Sequence, residues 1–185
     1  MDVLHKELEL DEPPQPTWGD GPAPQAIRWG WSWESTAIEN AALDNAWEIV
    51  RPPFVEHPEL PYIGCSSDAL VLDGFDFIEN VECKCPINEQ RHTRVIMNRQ
   101  IPDEHFPQMT CQMAVHKLPV TRFVSYSPMM PETRSQLCVL PFERNEKLEQ
   151  EMLNRCADFY EIFRRGDRPK PRQVPVSTGF PSLEF

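Results

Sequence analysis

The sequence predicts an α/β protein in which a central mixed sheet is flanked by helices. Segments with apolar residues at helical spacing alternate with short apolar runs typical of strands. Their order is helix, strands, helix, strands, helix, which is the order expected of helices packed around one sheet. The chain of 185 residues is long enough to form one domain with a substantial core.

The two ends of the chain differ in composition from its centre. Residues 1–26 are acidic and rich in proline, which has no backbone donor and breaks helices, so they are predicted to form an N-terminal arm. Residues 166–185 are predicted to be a proline-rich C-terminal tail. The folded domain is therefore expected to span residues 27–165.

A first helix is predicted over Trp33–Val50. Ile38, Ala41 and Ala42 lie on one apolar stripe at helical spacing. Arg51 and the two prolines after it are expected to end the helix, because a residue before proline disfavours the helical conformation.

Two strands joined by a tight turn are predicted next, after a loop over residues 53–61. Ala69–Leu72 is apolar and reads as the first strand. The pair Asp73-Gly74 is a strong signal for a two-residue hairpin turn. The second strand then carries Glu82 and Lys84 near its end.

The C-terminal half repeats the alternation of helices and strands. Residues 87–104 are polar and basic and are predicted to be a loop or a helix. The remaining predicted elements are a helix from Asp103 or Phe106 to His116, strands at Val120–Tyr126 and Ser135–Phe142, and a helix over Glu143–Arg164.

The composition excludes several classes of protein. A net charge of −11 argues against coating of nucleic acid by bulk electrostatics. No apolar run approaches membrane-spanning length, and the N-terminus lacks the layout of a secretory signal, so no membrane partner is expected. The six cysteines lie mostly in apolar segments, which indicates reduced thiols and a cytoplasmic location.

Asp68 and the triplet Glu82-Cys83-Lys84 form the most informative pattern in the chain. Side chains alternate between the faces of a strand, so Glu82 and Lys84 are expected to point the same way and Cys83 the other way. If Asp68 lies at the neighbouring strand end, two carboxylates and one ammonium converge. Oxygen ligands of this kind favour Mg²⁺, with Mn²⁺ as the alternative, and a neighbouring lysine suits attack of water on a phosphate.

Four blocks of the sequence are informative together: residues 29–37, residues 54–71, residues 81–86, and residues 101–115 followed by residues 123–128. In this order they resemble the lambda-type exonuclease, or YqaJ-type viral recombinase, branch of the PD-(D/E)xK nucleases. The resemblance implies a restriction-endonuclease-like core.

The resemblance also implies roles for individual residues. Asp68 and Glu82 would hold the divalent metal, and the backbone carbonyl of Cys83 would be a further ligand. Lys84 would orient or activate the attacking water. Glu34, on the first helix, would support the metal, directly or through water, or accept a proton.

Gln108 matches the helix glutamine that braces the site in this family. The sequence departs from the family pattern nearby, because Thr110 stands where a second glutamine is common. Support from that helix is therefore expected to be weaker. Ser67 and Ala69 also depart from the family pattern, at positions that do not touch the chemistry.

Basic residues give a first estimate of where DNA would bind. Arg28, Arg91, Arg94 and Arg99 are the candidates. Family members usually carry an arginine and serines that bind the 5′-phosphate ahead of the first catalytic helix. Residues 1–26 contain no arginine, so a weak preference for 5′-phosphorylated ends is expected.

The function implied by the resemblance is a metal-dependent DNA exonuclease of phage or prophage recombination in a bacterial host. It would digest one strand of duplex DNA from an end in the 5′→3′ direction, as a ring-shaped homotrimer, with a single-strand annealing protein as partner. Two alternatives stay open: a catalytically inactive module of the same fold that binds DNA ends or a partner, and a related repair endonuclease.

A thiolate metal site at Cys83 and Cys85 is a further alternative. Zinc and iron–sulfur sites usually use Cys-x-x-Cys spacing and four ligands, and this pair has one intervening residue. Packing of small apolar thiols in the core is the preferred interpretation.

Overall fold

The computed structural model describes residues 24–166, so the predicted arm and tail lie almost entirely outside the described residues. In this part of the chain the helices are α1 (Gln25–Asn45), α2 (Glu89–Asn98), α3 (Phe106–His116) and α4 (Glu146–Arg164). The strands are β1 (Glu48–Val50), β2 (Val55–Glu56), β3 (Gly64–Cys65), β4 (Ala69–Asp73), β5 (Asp76–Lys84), β6 (Val120–Tyr126) and β7 (Leu137–Glu143). None of these helices is long and apolar enough to cross a membrane.

The central sheet is mixed, as the sequence predicted. Its strand order is β1-β4-β5-β6-β7, and β5 and β6 are its parallel pair. Parallel neighbours need a long crossover connection, and the segment with α2 and α3 supplies it. β2 and β3 form a separate two-stranded ladder.

Helix α1 differs from the prediction at both ends. It begins at Gln25, just after Pro24, and ends at Asn45 instead of Val50. Ala46 adopts a left-handed conformation with φ of 54°, which terminates the helix. The residues after it form the edge strand β1, in which Ile49 pairs with Val71 of β4.

The hairpin of β4 and β5 confirms the predicted turn, one residue later than expected. Asp73 pairs with Asp76, so Gly74 and Phe75 form the two-residue connection. Gly74 has φ of 64°, a conformation that glycine adopts without a steric penalty.

The alternation along β5 and β6 separates an apolar face from the face that carries the site. Val81 and Cys83 of β5 pack with Val124 of β6 in a buried cluster that also contains Ile38 of α1. Phe123 of β6 packs on the opposite face in a second cluster, with residues of α3 and β7. Glu82, between Val81 and Cys83, therefore points away from α1 and toward α3.

The other predicted elements are present with small shifts. The polar segment predicted as a loop or a helix contains α2, which Asn88 caps by accepting a hydrogen bond of 2.9 Å from the backbone N–H of Gln90. The predicted bounds of β6 and of the end of α3 are confirmed, whereas β7 and α4 begin at Leu137 and Glu146, slightly later than predicted.

Candidate active site

The strand register brings Asp68 beside the end of β5. Asp68 directly precedes β4, and its neighbour Ala69 pairs with Val81. The Asp68 Oδ2 atom accepts a hydrogen bond of 2.7 Å from the backbone N–H of Cys83. The Asp68 carboxylate is thus hydrogen-bonded to the main chain between Glu82 and Lys84.

Glu82 and Lys84 point to the same face of β5, as strand alternation predicts. The Lys84 ammonium donates to Glu82 Oε1. Glu82 Oε2 accepts a second hydrogen bond, of 2.6 Å, from Gln112 Nε2 on α3. Glu82 is completely buried, and a buried carboxylate is costly unless its oxygens are paired in this way.

The charges in this cluster shift each other's pKa values. Burial, the Glu82 charge and a smaller contribution from Glu34 raise the pKa of Asp68 to about 7, although the Cys83 N–H acts in the opposite direction. Burial lowers the pKa of Lys84, but Glu82 and Asp68 outweigh it and raise that pKa overall. The lysine is therefore charged at neutral pH, while Asp68 lies close to its titration point.

Glu34 approaches the cluster from α1. Burial is the main reason that its pKa is raised, and the charges of Lys84 and Glu82 also act on it. Arg51, which follows β1, is the strongest opposing influence. The structure thus brings Glu34, Asp68, Glu82 and Lys84 together. The structure also places Arg51 near Glu34. No local sequence pattern indicated this residue, because its approach to Glu34 depends on how β1 folds back.

The helix glutamine that contacts the cluster is Gln112, and the prediction of this contact for Gln108 is wrong. Gln108 is exposed, while Gln112 is buried one turn further along α3. Residues four apart lie on the same side of a helix at successive levels. The family pattern selected Gln108, one turn before Gln112, because a sequence pattern does not show which turn of α3 meets β5.

The arginines predicted to bind DNA fall into different places. Arg91 is exposed and lies 3.4 Å from Glu104, beside His105. The pKa of His105 is lowered by burial and by the charges of Lys84 and Arg91, which places this region near the cluster. The Arg99 Nη1 atom lies 3.7 Å from Cys138 Sγ of β7. The other two candidates, Arg28 and Arg94, are exposed.

The two cysteines around Lys84 lie in the core. Cys83 and Cys85 are buried, with their sulfur atoms 3.8 Å apart, in the cluster against α1. Their mutual hydrogen bond and burial raise the pKa of Cys83 well above its ordinary value. Buried thiols on this face are packing groups, and they point away from Glu82 and Lys84.

The donor set of the cluster fits a hard divalent cation that keeps much of its water. Among residues 24–166, no group of three or more His, Cys, Asp or Glu side chains is arranged to hold a metal ion. The predicted ligands are two carboxylates, Asp68 and Glu82, with the carbonyl of Cys83. Mg²⁺ is commonly bound by one or two carboxylates and several waters, so such a set is sufficient. The raised pKa of Asp68 also indicates a place where positive charge would be stabilised.

Comparisons with known proteins identify a family and agree with the fold. The family model of the YqaJ-like viral recombinase domain matches residues 4–121. No curated protein matches the sequence. The structure of LHK-Exo in complex with dAMP is similar, with a TM-score of 0.72 and 25% sequence identity over 79% of this chain and 72% of that chain.

Two other solved structures resemble this chain in fold. One is an alkaline exonuclease (LHK-Exo) from Laribacter hongkongensis, with a TM-score of 0.64 and 24% identity over 78% of this chain and 75% of that chain. The other is a phage-related exonuclease from Haemophilus somnus 129PT, with a TM-score of 0.56 and 10% identity over 80% of this chain and 76% of that chain.

Proposed function

The chain belongs to the YqaJ-like viral recombinase family, and we propose that it is a metal-dependent exonuclease that digests one strand of duplex DNA from an end. The predicted PD-(D/E)xK fold is confirmed. The family and the structural neighbours support a nuclease of the phage exonuclease type. The divalent metal, the DNA end and the polarity are part of the proposal.

One observation carries this proposal. Glu82 is a completely buried carboxylate held between the Lys84 ammonium and the Gln112 amide, with Asp68 beside it. A buried group of this kind is expensive to maintain for packing alone. Glu82 lies at the end of a strand, where Glu34 also approaches. Clustered carboxylates in such a position are typical of functional sites, and here they would hold a cation that offsets the charge developing on a substrate.

The proposed reaction is hydrolysis of a phosphodiester. A bond forms between the water oxygen and phosphorus, the bond from phosphorus to the 3′ oxygen breaks, and a proton passes to that oxygen. A divalent cation held by Asp68, Glu82 and the Cys83 carbonyl would supply positive charge that offsets the carboxylates and the phosphate. Lys84 would orient the attacking water, and Glu34 would accept a proton.

Other features of the proposal come from the family resemblance. They are 5′→3′ digestion, assembly as a homotrimer, and cooperation with a single-strand annealing protein during phage or prophage recombination. Arg91 supports a DNA path past the cluster, because it is exposed and lies beside Glu104 and His105. Mg²⁺ is the proposed cation, with Mn²⁺ as the alternative.

Two other functions compete with this proposal. An inactive module that binds DNA ends would have no physical reason to keep Asp68 and Glu82 in mutual repulsion. A related repair endonuclease would use the same cluster, and only the substrate would distinguish it.

Cleavage of matched DNA substrates tests the three functions together. Linear duplex and covalently closed circular DNA are incubated with the protein and Mg²⁺, and Asp68→Asn serves as the control for contaminating nuclease. The exonuclease is expected to degrade linear DNA alone. Cutting of the circle would indicate the endonuclease, and binding without cleavage would indicate the inactive module. End-labelled duplexes with the label at either end then determine the polarity.

A further inference from the structure

An open groove between α3 and α4, the α3–α4 groove, lies outside the candidate active site. It has a volume of about 580 Å³. Helix α3 contributes Pro107 and Thr110 to it, and α4 contributes residues along its whole length, from Leu148 to Phe163. Most of the lining is apolar, and its aromatic members are Tyr62, Phe159, Tyr160 and Phe163.

Helix α4 leaves large side chains uncovered at this groove. Within Glu146–Arg164, all of which the structure describes, no residue is buried. Phe159 and Phe163 lie one turn apart and are 56% and 70% exposed. Beside them the rings of Tyr160 and Tyr62 stack with their centroids 4.2 Å apart. Adjacent exposed apolar side chains of this kind mark an interaction surface.

Thr110 adds a polar group without a partner to the lining. Its side chain is almost completely buried, and its Oγ1 atom has no hydrogen-bond partner among residues 24–166. A buried hydroxyl without a partner is costly, so an acceptor brought in by an occupant would stabilise it. An extended segment supplies such acceptors, because polyproline II makes no hydrogen bonds within itself.

The lining favours a proline-rich segment over nucleic acid. Among the described residues of the groove, the charged ones are Glu151 and Arg155, and their charges cancel. Phosphate groups would therefore meet no excess of positive charge. Aromatic-lined grooves bind proline-rich segments, because polyproline II is ordered before binding and loses little entropy.

The chain carries a segment of this composition directly after α4. Residues 168–176 read Arg-Pro-Lys-Pro-Arg-Gln-Val-Pro-Val and lie outside the described part of the chain. Gly166, two residues earlier, has φ of 73°, and its N–H donates to the Phe163 carbonyl over 3.0 Å. A left-handed residue after the last turn redirects the chain away from the helix axis. The segment therefore begins beside Phe163, at one end of the α3–α4 groove.

The segment is also long enough to follow the groove. From Leu148 to Phe163, α4 rises by about 22 Å. The residues 168–176 span about 28 Å in the polyproline II conformation. One copy of the chain can thus cover its own groove from end to end.

We propose that residues 168–176 occupy the α3–α4 groove of their own chain and run antiparallel to α4. The prolines and valines of the segment would cover Phe159 and Phe163, and one of its carbonyl groups would accept a hydrogen bond from Thr110. The inference goes beyond the proposed function and does not depend on it, because neither DNA nor a cation takes part.

Cys156 makes the proposal testable, because this residue lines the α3–α4 groove. The full-length protein is treated with N-ethylmaleimide, and alkylation of each cysteine is followed by mass spectrometry of its peptides. The double variant Val174→Ser, Val176→Ser is expected to speed alkylation of Cys156 by roughly five- to tenfold, because a cover that opens more often protects less. Phe180→Ser is the matched control, since it lies beyond the segment, and the wild-type rate is expected.

A change on the groove side checks that the segment and the groove act together. Phe163→Ser removes an exposed contact and is expected to speed alkylation of Cys156 by a similar factor. Combined with the valine changes it should add little, because both changes remove the same interaction. Cys138 is buried between α3 and β7, so an unchanged rate there confirms that the variants stay folded.

The outcomes decide whether the chain's own segment covers the groove. Protection of Cys156 in the wild type should stay constant over roughly a hundredfold range of protein concentration, because the segment is tethered to the groove. Protection that falls on dilution would assign the groove to a second copy of the chain and overturn the inference. Equal Cys156 rates in the wild type and in the double valine variant would also overturn it.

Discussion

The carboxylate of Asp68 accepts a hydrogen bond of 2.7 Å from the backbone N–H of Cys83, the residue between Glu82 and Lys84. This bond favours the charged form of Asp68, but burial and the charge of Glu82 outweigh it and raise its pKa to about 7. Ionised Asp68 is therefore unfavourable in the folded protein unless positive charge is added nearby. That property can be measured as a dependence of stability on pH.

Asp68→Asn is expected to stabilise the metal-free protein at pH 8. The pKa of Asp68 is about 7 in the folded protein, whereas the ordinary pKa of an aspartate side chain is 3.8. A raised folded pKa contributes stability that is complete below about pH 4 and is lost as the pH rises through about 7. Asparagine does not titrate and can still accept the bond from Cys83. The gain at pH 8 is expected to reach a few kcal/mol at most.

Thermal denaturation in EDTA between pH 5 and pH 8 measures this effect. The gain of Asp68→Asn over wild type should shrink as the pH falls toward 5. Burial lowers the pKa values of His92 and His116, but these groups are present in both proteins and cancel in the difference. A difference that does not change with pH would contradict the environment assigned to Asp68.

Glu82→Gln is expected to lower the cleavage rate by roughly 10²–10³ without a gain in stability. Both oxygens of Glu82 accept hydrogen bonds, from Lys84 and from Gln112. A glutamine would turn its own N–H groups toward one of these donors, so the stabilisation expected of Asp68→Asn should be absent here. Rate assays and melting curves in EDTA test the contrast, which equal stabilisation of both variants would contradict.

Lys84→Ala is expected to lower the cleavage rate by a similar factor, roughly 10²–10³, because the ammonium is the group that would orient the attacking water. Lys117→Ala is the matched control. Lys117 is exposed and pairs with Glu59 over 2.9 Å, so its loss should leave the rate unchanged. Cleavage by Lys84→Ala at the wild-type rate would place the active centre elsewhere.

The sequence predicted the charged residues of the cluster better than it predicted the residue of α3 that hydrogen-bonds to them. Strand alternation is a local property, so the common face of Glu82 and Lys84 followed from their spacing. The contact from Gln112 depends on which turn of α3 meets β5, and counting along a motif selected Gln108 instead. Such choices are made by packing between elements that are distant in the chain.

The end of α1 shows the same limit. Ala46 takes a left-handed conformation that its side chain does not favour, so no residue-level signal marked the helix end. The edge strand that follows brings Arg51 close to Glu34, and a helix continued to Val50 would have placed it elsewhere. The fold class was predictable because the alternation of apolar patterns extends over the whole domain.

Cleavage is expected to require Mg²⁺ or Mn²⁺ and to stop in excess EDTA. Ca²⁺ should bind without supporting turnover, because its longer bonds and looser geometry misplace the reacting groups. Initial rates with each cation at matched ionic strength test this expectation. Mn²⁺ titration of Asp68→Asn provides the control, since it should show weaker binding. Full activity in EDTA would remove the metal from the mechanism.

Arg91→Ala is expected to weaken DNA binding more than Arg99→Ala. Both arginines are exposed, Arg91 in α2 and Arg99 directly after it. Only Arg91 lies beside Glu104 and His105, near Lys84. The Arg99 guanidinium lies against Cys138 instead.

A lost phosphate contact weakens binding uniformly across sequences and lowers the slope of log affinity against log salt by about 1. Titration of a short duplex at several salt concentrations, in Ca²⁺ to prevent cleavage, measures that slope. Equal slopes for Arg91→Ala and wild type would show that the DNA path does not pass α2, and a changed slope for Arg99→Ala alone would move the path toward β7.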